Sequence, residues 1–335
     1  MHKFFKSFLF FLILINIDIV SANTINQTST LLNSTSAFTN KPNISAGSSV
    51  VIDANSDTIL YNKNMNKKIY PASTTKILTA IIAIEKLNLD DTITVRKEEL
   101  ELVPEDSSIM YLQEGEVISV RDLLYGLMLK SGNDAANVLA YEVSGNLTDF
   151  VSLMNEKAKE LHCTNTHFTN AHGFHDDNHY STSIDMANIL KYCIKNEIFK
   201  EITQTKKYKI EKTNKLPARY LTNTNNLVKN NYEFKIGGKT GFTNEAGNVL
   251  VSYAVKDDVE VVLTLYDGTK KMSDRLVKFD ETLNLLNYTF DNFSKKTILK
   301  KETINLNYVD NVDNKIYNLK LNNDIISLIS KENYI

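Results

Sequence analysis

Strand-like runs lie on both sides of a long helical stretch, and this ordering limits the fold more than any other feature of the sequence. Ser49 to Asp53 and Thr58 to Tyr61 are short β-like runs joined by Ala54-Asn55-Ser56-Asp57, a loop of turn formers, so a hairpin is predicted. Lys235 to Thr240, Asn248 to Val255 and Val259 to Tyr266 read as an antiparallel meander. Between them, Pro71-Ala72-Ser73 opens a helix whose Ile77, Leu78, Ile81, Ile82, Ile84 and Leu87 form an apolar face broad enough to predict burial. Helices are also expected over 123–129, 135–143, 150–161 and 184–194, with a closing helix over 273–293. A sheet must bury a face against another layer, so the two groups of strands are expected to share one sheet in an α+β or αβα sandwich with a helical subdomain.

The ends of the chain differ from this body. Lys3 and Lys6 precede an apolar run from Phe8 to Ile15, and Val20-Ser21-Ala22 is a small-residue cleavage pattern. Residues 1–22 read as an export signal, because the run is shorter than the ~20 apolar residues that span a bilayer. An exported protein, extracellular or at the cell wall, is expected. Residues 23–46 are rich in Asn, Ser and Thr and read as a flexible leader. Residues 47–293 carry the main domain, and 294–335 alternate apolar and polar residues as a short β appendage that packs on it.

Charge excludes one class of partner. The 38 Lys and Arg nearly balance 40 Asp and Glu, so no broad basic field attracts nucleic acid.

Three short motifs carry the chemistry. Ser73 and Lys76 lie three residues apart at a helix start, placing a hydroxyl and a base on one face. The Ser73 backbone N–H, in the first turn, is free to meet a developing oxyanion. Lys76 must be neutral to act as base, which requires burial or a nearby cation, and Lys239 can be that cation. Ser131, on an inter-helix turn, is suited to relay a proton to a leaving amine, and the Asn133 amide to bond Lys76 and a substrate amide. Lys239 and Thr240, at a strand end, suit a substrate carboxylate, and Gly241 leaves room for a peptide along the strand.

Taken in order, Tyr70-Pro-Ala-Ser73-Thr-Thr-Lys76, Lys130-Ser131-Gly-Asn133-Asp134-Ala135 and Gly238-Lys239-Thr240-Gly241-Phe242-Thr resemble the serine-type D-alanyl-D-alanine carboxypeptidases among the low-molecular-mass penicillin-binding proteins. Asn170-Ala171-His172-Gly173 and His179-Tyr180-Ser181-Thr182 extend the match, which covers about 48–293. The resemblance implies a β-lactamase/transpeptidase-like sandwich in which Ser73 is the acyl-enzyme nucleophile, Lys76 its base, and Ser131 and Asn133 the second motif. It further implies that Lys239 and Thr240 hold the terminal carboxylate and that the N–H groups of Ser73 and Phe242 form the oxyanion hole. The implied substrate is a peptidoglycan stem peptide ending in D-Ala-D-Ala, with β-lactams as covalent inhibitors and no cofactor or metal. Two departures stand out. No basic amphipathic helix closes the chain, which speaks against the family's membrane attachment. The stretch Asn223-Thr224-Asn225 lacks the Arg that some relatives carry there, so carboxylate binding is expected to rest on Thr240 and Lys239.

Rival readings follow from other residues. A β-lactamase needs an added carboxylate between the second and third motifs, and Glu281-Thr-Leu-Asn284 falls after Lys239, inside the closing helix. A catalytically silent wall-binding protein is set against the presence of every side chain the chemistry requires. His162, His167, His172, His175 and His179 lie within one segment but match no common zinc spacing. Cys163 and Cys193 suit either one bridge or two free, partly buried thiols.

Overall fold

The computed structural model describes residues 41–230, 232–268, 271, 274–301, 305–309, 316–320 and 323–331; the signal and nearly all of the leader lie outside them. Strands β1 (Ser48–Asp53) and β2 (Ile59–Lys63) form the expected hairpin. They join the meander β7 (Lys235–Thr243), β8 (Gly247–Lys256) and β9 (Val259–Tyr266) in one antiparallel sheet of order β2-β1-β9-β8-β7. The first strand of the chain therefore pairs with the last of the meander, Ser48 opposite Tyr266 through Asp53 opposite Val261.

The apolar stripe after Pro71 is buried as its width predicts. Helix α1 (Lys76–Lys86) is buried from Lys76 to Ile84, and a 3-10 turn over Ala72–Thr75 leads into it. Around it lie α3 (Val120–Tyr125), α4 (Asn133–Ser144), α5 (Leu147–Glu160), α6 (Ser183–Cys193) and α7 (Glu197–Gln204), after the short β3 (Thr92–Thr94), α2 (Lys97–Glu101) and β4 (Val117–Ser119). Helix α6 packs on β1, β8 and β9. After the small pair β5 (Lys207–Ile210) and β6 (Arg219–Thr222) and the turn-like α8 (Asn226–Lys229), the chain enters the meander, and α9 (Val277–Asn292) then packs on β8, β9 and β2.

Two boundaries differ from the sequence reading. Ile44 and Ala46 are buried, and the Ser45 and Ala46 amides donate to Glu281 of α9, so the packed body starts at Ile44. Lys239 sits inside β7, because pairing continues from Lys239 opposite Val251 to Thr243 opposite Gly247. After α9, β10 (Phe293–Leu299) pairs with β13 (Ile325–Ser330), and β11 (Asn305–Val309) with β12 (Ile316–Lys320). Leu328 is buried, and Ser327 bonds Thr58 of the hairpin loop, so this pair packs on the main body. Among the described residues no helix is long and apolar enough to cross a membrane.

Candidate active site

Of the run Ala72-Ser73-Thr74-Thr75-Lys76, only Ser73 reaches solvent. Ala72 has a positive φ of 47°, an uncommon conformation for a residue with a Cβ, and this bend turns the Ser73 hydroxyl outward at the head of α1. Gly173 packs beneath the bend: a Cβ there would stand 1.8 Å from the Ala72 carbonyl oxygen, at a φ of +84°. No other residue fits that position.

The Lys76 ammonium is held on three sides. Its Nζ lies 3.1 Å from Ser73 Oγ, 2.7 Å from Asn133 Oδ1 and 2.7 Å from the His172 carbonyl. Burial, and then the charge of Lys239, push the Lys76 pKa well below the usual lysine range, against a smaller opposing pull from Asp134. A neutral amine beside a hydroxyl is the arrangement general-base activation requires.

Ser131 reaches the site through a change of helical pitch. The sequence reads as helix to Leu129, but only α3 is α-helical; Gly126–Lys130 widens into a π turn that ends on Ser131 in the left-handed region, φ 65°. There Ser131 Oγ accepts from Lys239 Nζ at 3.0 Å, and the same ammonium donates to the Thr240 carbonyl at 2.9 Å. Burial, then the neighbouring Lys278, bring the Lys239 pKa down to about 7. Two lysine–serine pairs result, Lys76 with Ser73 and Lys239 with Ser131, and the charge of Lys239 acts on Lys76.

Strand β7 forms the other wall. A Cβ on Gly241 would stand 3.0 Å from the Ser73 backbone nitrogen, which shows how closely the strand passes Ser73. As β7 pairs only with β8 in the sheet order, its other edge faces the 3-10 turn and offers backbone groups to an extended peptide. Thr240 Oγ1 lies 2.8 Å from Thr224 Oγ1, and the Thr224 amide donates to Leu129 O. The Asn223 side chain donates to the Thr203 and Thr205 carbonyls, and Asn225 caps α8, so Thr224 alone of that stretch meets the third motif.

Of the eight predicted residues, Ser73 and Asn133 meet at Lys76, Ser131 and the Thr240 carbonyl meet at Lys239, and Gly241 passes the Ser73 nitrogen, while Phe242 follows Gly241 on β7 opposite Asn248. The family model described as D-alanyl-D-alanine carboxypeptidase matches residues 35–269. The chain belongs to this carboxypeptidase family. Within the family it is 33% identical over 262 residues to the D-alanyl-D-alanine carboxypeptidase DacF of Bacillus subtilis, covering 76% of this chain and 65% of that one. It is 33% identical over 271 residues to DacC of Escherichia coli, covering 78% and 65%. The chain therefore spans just under two thirds of the length of these curated relatives. Among solved structures, a mutant of the Streptomyces K15 DD-transpeptidase superposes with a TM-score of 0.69 at 32% identity, covering 75% of this chain and all of that one. Penicillin-binding protein 6B of E. coli superposes at 0.73 with 27% identity, covering 88% and 86%. These likenesses bear out the sandwich fold expected of a carboxypeptidase of this family.

Side-chain reasoning missed part of the site. His172 serves Lys76 through its backbone carbonyl, which residue type cannot reveal, although the Asn-Ala-His-Gly run marks the place. His179 accepts the Thr169 amide at Nδ1, 3.0 Å, so its Nε2–H donates to Thr75 Oγ1 at 2.8 Å within the first motif. Burial lowers its pKa to about 3 and keeps it neutral. Among the described residues no three His, Cys, Asp or Glu side chains are grouped to hold a metal. Cys163 and Cys193 are buried free thiols, and burial raises the Cys163 pKa to about 12. Glu281 lies in α9, engaged with the Ser45 amide.

Proposed function

We propose that the protein is an exported serine-type D-Ala-D-Ala carboxypeptidase acting on peptidoglycan stem peptides. The observation that carries this reading is the buried Lys76 amine 3.1 Å from the one solvent-reaching hydroxyl of its motif, with Lys239 of the third motif bonded to Ser131 of the second. Family membership supports the reaction class, and the basic and apolar N-terminal run supports export.

A stem peptide lies along β7 with its terminal carboxylate at Thr240, Thr224 and Lys239. Neutral Lys76 takes the Ser73 proton as Oγ attacks the penultimate D-Ala carbonyl, and the Ser73 and Phe242 N–H groups receive the oxyanion. Collapse of the tetrahedral intermediate breaks the C–N bond. The leaving amine takes through Ser131 the proton that Lys76 accepted from Ser73 and departs as D-alanine, which leaves Lys76 neutral again and Lys239 charged on the carboxylate. Water, deprotonated in turn by the same base, hydrolyses the Ser73 ester and releases the shortened peptide. β-Lactams enter as mimics of the same amide and acylate Ser73.

Mass spectrometry of the intact protein with penicillin, together with assay of D-alanine release from a synthetic stem peptide, tests this. Ser73→Ala is expected to abolish labelling and to reduce release by roughly 10⁴-fold or more. Release that survives the substitution sinks the mechanism.

A further inference from the structure

Tyr111 is held in a conformation a bulky residue rarely adopts, and its ring is spent on nothing inside the fold. Its φ is 63°, in the left-handed region, and it is 67% exposed. Both flanking residues are buried, Met110 at 2% and Leu112 at 8%. Their amides donate to the carboxylate of Asp134, Met110 N at 3.0 Å and Leu112 N at 3.1 Å. Asp134 is itself only 3% exposed and follows Asn133 in the second motif. Two further ties hold the arc: the Asn133 amide donates to Ser108 O at 2.7 Å, and Arg219 Nη1 donates to Met110 O at 3.3 Å.

A buried carboxylate is costly unless its hydrogen bonds are fully used, and here it is used to clamp the two amides on either side of one strained residue. Strain of this kind persists where the surroundings over-determine it. A tyrosine packed for stability would be buried; this one is displayed to solvent on an arc tied to Asn133 and Asp134 of the second motif.

The geometry points to Tyr111 as a specificity-determining residue: its ring forms a platform on the acyl side of the groove for the side chain of the residue preceding D-alanyl-D-alanine. The assignment of sides follows from the site. Thr240 and Lys239 take the carboxylate end, whereas Asn133, which carries the arc through its amide, is bonded to Lys76 at the reacting centre, so the arc is assigned to the upstream part of the peptide. An exposed phenol ring suits the aliphatic stem of a long side chain with a polar tip, since the stem loses water against the ring while the tip stays solvated.

This inference rests on the carboxypeptidase reading. The test compares two N-acylated tripeptides ending in D-alanyl-D-alanine, one with lysine and one with alanine at the preceding position. Tyr111→Ala is expected to raise KM for the lysine peptide by about tenfold with kcat retained, and to leave the alanine peptide unchanged. Tyr111→Gly, which fits the backbone without strain, should reproduce that change, and Tyr111→Phe should restore the parent KM. Equal effects on both peptides, or none on either, overturn the assignment. If the unsubstituted protein releases D-alanine from both peptides, the carboxypeptidase reading stands whatever the variants do; if it releases none from either, that reading fails and the role of the ring with it.

Discussion

At the scale of single residues, the site depends on lysines made poor at holding protons. Burial and then Lys239 hold the Lys76 pKa well below the usual lysine range, while burial and then Lys278 bring that of Lys239 down to about 7. The proposed mechanism needs Lys76 neutral and Lys239 charged. Loss of the Lys76 proton is therefore expected to set the rising acid limb of kcat/KM, and loss of the Lys239 proton the falling limb on the alkaline side. Lys278 is buried, donates to Asn248 Oδ1 at 3.1 Å and lowers the Lys239 pKa by its charge. Removing that charge raises the pKa, so Lys278→Met should move the alkaline limb to higher pH. An unmoved limb in a kcat/KM profile would show that Lys239 does not set it.

The elements explain why those residues meet. Thr74, Thr75 and Lys76 turn inward because the apolar stripe of α1 faces the core, and the Ala72 bend leaves Ser73 outward. Gly173 is the element-level keystone. Gly173→Ala should cost about 3 kcal/mol or shift the bend, with penicillin acylation slowed at least tenfold, measured by denaturant unfolding and acylation rate. The π turn at 126–130 has a comparable role, since it delivers Ser131 in the left-handed region next to Lys239. Periodicity marked a helix there but not its pitch, because the pitch is set by outside bonds such as Thr224 N to Leu129 O.

Across the whole molecule, the sheet brings remote segments into register. Leu328 of the C-terminal pair is 1% exposed, so Leu328→Ala should destabilise the protein by about 2–4 kcal/mol, read from denaturant unfolding, while Ser73 acylation by penicillin at moderate temperature is retained. Loss of acylation in folded Leu328→Ala would mean that the appendage shapes the groove. The hairpin, the meander, the buried helix and the three motifs were all legible in the amino-acid order, because apolar periodicity and side-chain chemistry are local properties. Pairing of β1 with β9, the placing of Lys239 within an edge strand, the His172 carbonyl under Lys76, Thr224 against Thr240 and the clamp of Asp134 on Tyr111 belong to the tertiary structure alone. They depend on backbone groups and on burial, and burial is decided only when distant parts of the chain exclude water together.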